Sequence, residues 1–429
     1  MTKNLKRFII SVNKKKFTEK TVSKKIILKS ALIRSGALVL REGIKMSDVK
    51  QLQEERTQLF KDVYDGKQPK RVPIELSITW DAAIPYAGMD MKTAQWNPET
   101  FETFFDKVCA EFPTDKAPIA PTLRPPGFYE ILGAKGIIMS NTGTMQHPEV
   151  HCLEVEEYDE FIADPYKCMV EKLMPRLFAA LDAEPMRAAL NFAKGYKAKC
   201  DIDAAMGGVA VEMTNKYGFA ALPKGGMTEA PLDFMADSIR SFTGIIKDMR
   251  RNKEQVVEAV EAILPHMEKI GIVPASSRYA RTFIPLHMAP FMKEKDFARF
   301  WWPTFEALMQ YLSDHGAGVK LFVEQDWMKK IDYLASLKDR VEMQFEFGDP
   351  KLAKEKVGRD HIISGFFPIT MLQTATEKEC VDKAKELIDI LAPGGGFIFN
   401  TDKSLYSLAG PIADNLKAVI ETVRTYGVY

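Results

Sequence analysis

Cysteine is scarce and scattered: the five in 429 residues (Cys109, Cys152, Cys168, Cys200 and Cys380) make no CxxC pair and no regular spacing. That argues against a disulfide framework or a thiolate zinc cluster and fits a reducing, cytoplasmic setting. Long apolar runs are missing as well. Without a stretch of about 18 uninterrupted apolar residues, no transmembrane helix is expected. Neither sign of charge dominates, with 59 Lys and Arg against 58 Asp and Glu. Such a balance lacks the basic footprint with which nucleic-acid binders neutralise phosphates, so small molecules or protein partners are the expected ligands. What the chain does have is 46% hydrophobic residues, enough for a substantial core, and a length that one α/β barrel with insertions can reach.

Residues 1–45 stand apart. Ten Lys and Arg oppose a single acidic residue, Glu19, within the first 30 positions. Neither a long apolar stretch nor a small-residue cleavage site accompanies them, so the segment reads as a basic tail or upstream extension rather than a targeting signal. Met46 opens MSDVKQLQEERTQLFKDVYDGK, which itself reads like a protein start. Within it Val49, Leu52, Leu59, Phe60 and Val63 have amphipathic spacing, predicting a helix from Ser47 to Asp65. The polar GKQPKR then leads into VPIELSI, the first candidate strand.

Beyond it, helical apolar spacing alternates with short β-rich runs: GIIMS near 136, GVAVEM near 208, TFIPLHM at 282, VKLFVE at 319, VEMQFEF at 341, HIISGFF at 361 and GFIFN at 396. The second half is the most regular, with helices FARFWWPTFEALMQYLSDHG and EKECVDKAKELIDILAPGG running to glycines. Many βα units imply a parallel sheet, more easily closed than left open. The predicted fold is therefore α/β, a (β/α)8 TIM barrel over residues 46–429 with an N-terminal helical extension; a doubly wound sheet is the alternative. The Pro-rich PIAPTLRPPG at 118–127 reads as a long loop over the barrel mouth.

Several blocks, in order and spacing, resemble the uroporphyrinogen decarboxylase superfamily, in particular its corrinoid-dependent methyltransferase branch. They are PKRVPIEL, QHPEVHCLEVEEYDEFIADP at 146–165, GGMTEAPLDFMADSIRSFTGIIKDMRRNKEQV at 225–256, FIPLHMAPFMKEKDFARFWWP at 283–303, VKLFVEQDW, FEFGDPKLAKEKVG and GGGFIFNTDKSL. The resemblance implies a barrel whose site lies at the strand C-termini, a small methylated substrate, a corrinoid carried by a partner protein, and a possible homodimer. Two departures matter. The decarboxylases carry an arginine-rich loop for tetrapyrrole carboxylates where this chain has ITWDAAIPYAGMDM. Coenzyme M-type methyltransferases carry a His-x-Cys pair and a late cysteine where this chain reads LFVEQDW and IFNTDKS. Glu324, then Asp326, stand at the first of those positions.

A carboxylate at a strand C-terminus points into the mouth of such a barrel, which singles out Glu324. Together with His287, at the end of the preceding strand, it makes a mixed His/carboxylate pair suited to zinc; the bland reading is a hydrogen-bonded structural pair. Glu346, flanked by Phe345 and Phe347, is a candidate proton donor or a satisfied buried carboxylate. Asp349 reads as a helix cap. Asp81 is a candidate catalytic acid or an N-cap, with Trp80 and Tyr86 as aromatic walls. His147, four residues before His151 in QHPEVH, belongs to a loop because of Pro148, and is a candidate substrate contact. Asp233 in APLDFMAD either contacts substrate or caps a helix. PKGGMTEAPLD lacks phosphate-loop spacing, GGGFIFN precedes a strand rather than a helix, and the 21 dispersed methionines read as core.

Three functions follow. The first is a methyltransferase component, zinc-assisted, passing a methyl group from a phenyl methyl ether or methylamine to a corrinoid protein. The second is a cofactor-free decarboxylase of an aromatic or pyrrole acid, working through Asp81. The third is a non-catalytic module that binds a corrinoid or a partner.

Overall fold

The structure is a computed structural model and describes residues 46–119, 121–122 and 124–429; the expected basic extension lies outside the described residues. The predicted first helix is present as Met46–Tyr64 and buries Leu59, Phe60, Val63 and Tyr64. At the centre lies a five-stranded parallel sheet in sequential order: β3 (Thr282–Leu286), β4 (Val319–Val323), β5 (Glu342–Phe345), β6 (Ile362–Phe367) and β7 (Phe397–Thr401). β5, β6 and β7 are buried along their whole length, as strands of a parallel sheet covered by helices are.

Three extended segments complete the ring. Ile74 pairs in parallel with Phe399 of β7, while Ile78 pairs with Ile119, so residues 72–78 lie between β7 and residues 115–119. On the other side Met227 pairs with Phe283 of β3. Ala220 N donates to Asp115 O at 2.8 Å and links the two remaining ends at the base. Five strands and three segments give the eight staves of a TIM barrel. Glycine makes the third stave possible: a Cβ on Gly225 would lie 2.0 Å from Arg281 O, and one on Gly226 would lie 2.4 Å from Gly271 O.

Two expected strands differ. GIIMS contributes only to a short antiparallel hairpin, β1 (Ile138–Met139) with β2 (Met145–Gln146), outside the barrel. GVAVEM lies inside a 33-residue helix, Pro185–Tyr217. There the fully buried methionines are Met206 and Met213, seven apart, a helical period rather than the alternation of a strand. No helix among the described residues is long and apolar enough to cross a membrane.

The N-terminal end of the barrel is plugged by buried charge. Lys320 of β4 reaches Glu342 of β5 at 2.9 Å and Glu75 at 3.1 Å, and Lys116 reaches Glu75 at 2.8 Å. Burial opposes the Glu75 charge, yet the two ammonium groups hold its carboxyl at about 2. The opposite end is where the remaining titratable groups collect.

Candidate active site at the barrel mouth

Successive staves present chemistry at their C-terminal ends: Glu229 after residues 225–228, His287 after β3, Glu324 after β4, Glu346 after β5, and Asp402 with Lys403 after β7. Active sites of this fold sit at that end.

His287 is the hub. Its Nδ1 is hydrogen-bonded to Asp237 and its Nε2 lies 3.4 Å from Glu324 Oε1. Burial would pull the imidazole down, but the bonds to Asp237 and Glu324 outweigh it and raise the ring to about 11. The ring is thus an imidazolium at neutral pH. Its backbone is fixed by Asp233, which is fully buried and accepts from His287 N (2.9 Å), Met288 N (3.0 Å) and Trp301 Nε1 (2.8 Å). Burial lifts the Asp233 carboxyl to about 6 against the pull of His287 and those donors.

Asp233 and Asp237 are brought to one side by a change of helix type. The helix Pro231–Phe234 passes into a π-helical turn, Met235–Arg240, and Trp301 ends a second one, Phe297–Trp301. Such turns recur at functional sites because they re-aim side chains. Asp233 therefore does not cap the helix, whose N-cap position is Ala230; its two oxygens serve three donors that hold the end of β3.

Glu229 completes the cluster. Its Oε2 is buried without a hydrogen-bond partner. Burial first, then the charge of Asp237, pushes the carboxyl up to about 7, with His287 and Arg124 pulling the other way. His147 belongs to the same neighbourhood: local desolvation and Arg124 lower its ring, while Asp237 raises it. It sits in a loop, as Pro148 predicts.

Glu346 has the partners expected of a satisfied buried carboxylate. Its Oε1 pairs with the Lys403 ammonium and its Oε2 accepts from Gln325 N at 2.8 Å, so both oxygens are committed. Lys403 is raised by that bond. Asp349 caps Pro350–Lys356 by accepting from Lys351 N. Asp326 is exposed and accepts from Met328 N at 2.8 Å.

The residues after the first stave separate. Thr79, not Asp81, occupies the N-cap position of the helix Trp80–Tyr86; Asp81 Oδ1 is buried without a partner. Trp80 packs edge-on against Phe101, Phe104 and Phe105, on the core side. The Tyr86 hydroxyl donates to Glu111 at 2.5 Å, beside Lys417. The Trp80 ring thus packs on core phenylalanines, and the Tyr86 hydroxyl is tied to Glu111.

The residues present do not fit the expected zinc site. The Nδ1 of His287 is occupied by Asp237, its Nε2 faces Glu324, and among the described residues no group of three or more His, Cys, Asp or Glu could hold a metal.

A family model described as Uroporphyrinogen decarboxylase (URO-D) matches residues 205–426, just over half of the chain and all of the cluster except His147 and Arg124. Among solved structures, a methyltransferase from Methanosarcina mazei superimposes with a TM-score of 0.55 at 14% identity. The match covers 87% of this chain and 98% of that one, and shows a shared fold. No curated protein matches the sequence.

Proposed function

The chain belongs to the uroporphyrinogen decarboxylase family, and from that premise we propose that it is a methyltransferase component taking a methyl group from a small methylated compound and delivering it to a corrinoid protein. The single observation that carries the reading is Glu229, a buried carboxyl poised near 7 with an unused oxygen, beside an imidazolium fixed by two carboxylates. The similarity of the fold to a methyltransferase supports it.

Breaking the bond between a methyl carbon and oxygen or nitrogen leaves an electron pair on the heteroatom, which departs readily only if that charge is met. The partner's corrinoid would supply the electron pair that captures the methyl group. Within this chain, Glu229 passes its proton to the leaving heteroatom as the bond breaks and is left as a carboxylate. A carboxyl near 7 suits this, since at neutral pH it is often protonated yet still a competent acid. His287 at about 11 holds its proton too tightly to donate it and acts instead as a fixed positive charge. Asp237 holds that ring, Asp233 holds its backbone, and Glu324 closes the other side of the ring. The donors that fit are phenyl methyl ethers and methylamines; the setting is cytoplasmic, with residues 46–429 as one barrel domain.

Decarboxylation of an aromatic acid is a second reading, favoured by the orphaned oxygen of Asp81. The two are separated by incubating the full chain with cob(I)alamin and methylated donors, and separately with aromatic carboxylates. Methylated corrinoid formation that is lost in Glu229→Gln supports methyl transfer; carbon dioxide release lost in Asp81→Asn supports the other.

A further inference from the structure

The backbone is least relaxed around this site. Among the described residues, the non-glycines with positive φ are Ser241 (69°), Gln325 (61°) and Phe366 (64°). Ser241 directly follows the π turn that carries Asp237, and Gln325 directly follows Glu324. L-residues avoid this left-handed region, and positions held in it persist only where surrounding contacts determine them. For Gln325 the contact is visible: its N–H donates to Glu346 Oε2 at 2.8 Å, across from β4 to the end of β5. The other oxygen of Glu346 is tied to Lys403, after β7, whose ammonium also lies 5.3 Å above the Phe347 ring. Glu346 therefore joins three loops of the mouth through one carboxylate, and the loop it fixes is the one that aims Glu324.

We infer that Glu346 is a positioning residue, which clamps Gln325 in its left-handed turn so that Glu324 is held against Nε2 of His287, with Lys403 locking the clamp from β7. The consequence for catalysis rests on the role given above to the His287 cluster; the clamp itself does not. It accounts for a buried carboxylate whose two oxygens are both spent on neighbouring loops. It also explains why a residue with a long side chain, rather than glycine, is tolerated at the strained position: the turn is held from outside.

The test uses full-length protein with 15N-labelled histidine, in which the Nε2–H resonance of His287 is identified among six histidines by its loss in His287→Gln. Held against Glu324, that proton exchanges slowly and gives a resolved signal. Glu346→Ala is expected to lose the signal to exchange with water. Glu346→Gln is expected to keep it, because the amide oxygen still accepts from Gln325 N although the charge is gone. Adding Gln325→Gly to Glu346→Ala is expected to restore it, since glycine adopts the left-handed turn unaided. Persistence of the signal in Glu346→Ala overturns the proposal, as does its equal loss in Glu346→Gln, which would assign the effect to charge. Should Glu346→Ala fail to fold by circular dichroism, Gln325→Val carries the test. A β-branched residue resists the left-handed turn, so loss of the signal supports the clamp and its retention overturns it. No methyl donor is needed, so a failed transfer assay leaves this result standing.

Discussion

Replacing Glu229 by glutamine should change how stability depends on pH, with a sign opposite to that of most carboxylates. Burial and Asp237 raise this carboxyl from 4.5 to about 7. Between those values the folded protein holds a proton that the unfolded chain has released, so stability falls as pH rises through the window, and the full cost is present above 7. At about 1.36 kcal/mol per pH unit the cost is a little over 3 kcal/mol, and the partial exposure of the residue brings it nearer 2 kcal/mol. Glutamine carries no such cost. Urea unfolding of both proteins at pH 5, 6, 7 and 8 gives the difference between them, in which the contributions of Asp233, Asp402 and the histidines largely cancel. The variant should gain about 2 kcal/mol on the wild type between pH 5 and pH 8. A difference that stays level across the range would refute the reading of Glu229 as a carboxyl poised near neutrality.

Other perturbations have comparably definite outcomes. Lys320→Met strips the cation from two buried carboxylates at the barrel base, Glu342 and Glu75, and should cost about 3–5 kcal/mol in urea melts at pH 7. Gly225→Ala sets a methyl 2.0 Å from Arg281 O and should destabilise by about 3 kcal/mol or more, visible as a large fall in Tm. Trp301→Phe keeps most of the packing but leaves Asp233 one donor short; a loss of about 1–2 kcal/mol is expected, measured the same way. Because among the described residues no group of three or more His, Cys, Asp or Glu could hold a metal, prolonged dialysis against a chelator should leave transfer activity unchanged. Stoichiometric zinc by mass spectrometry, lost in Glu324→Ala, would overturn that assignment.

The parallel sheet was legible because its strands are short β-rich runs alternating with helices of clear apolar period, and β3 to β7 fall where the β-rich segments of the second half predict. The first half was harder for identifiable reasons. Its staves join by single bridges rather than full ladders, and GVAVEM has a strand's composition but a helix's burial, set by Met206 and Met213. At the site, position along a strand was enough to find His287 and Glu324 and to expect them together. It could not show what each side chain had already spent its atoms on. For Glu346 the sequence leaves a proton donor and a satisfied carboxylate both open, and only the partners on its two oxygens, Lys403 and Gln325, separate them. Asp237 and Glu229 went unremarked, although the block GGMTEAPLDFMAD that carries both had been singled out. The one available signal, Asp233 and Asp237 four apart on a helix face, is blurred by the π turn that aims them.

The most direct test of the account is single-turnover methyl transfer, followed by the absorbance change as cob(I)alamin becomes methylated, with full-length protein and a panel of phenyl methyl ethers and methylamines. The account predicts transfer from at least one donor, a rate that falls as pH rises through about 7, and loss of that pH dependence with a much lower rate in Glu229→Gln. Transfer that is unchanged in Glu229→Gln, or no transfer from any donor alongside decarboxylation of an aromatic acid, would contradict it.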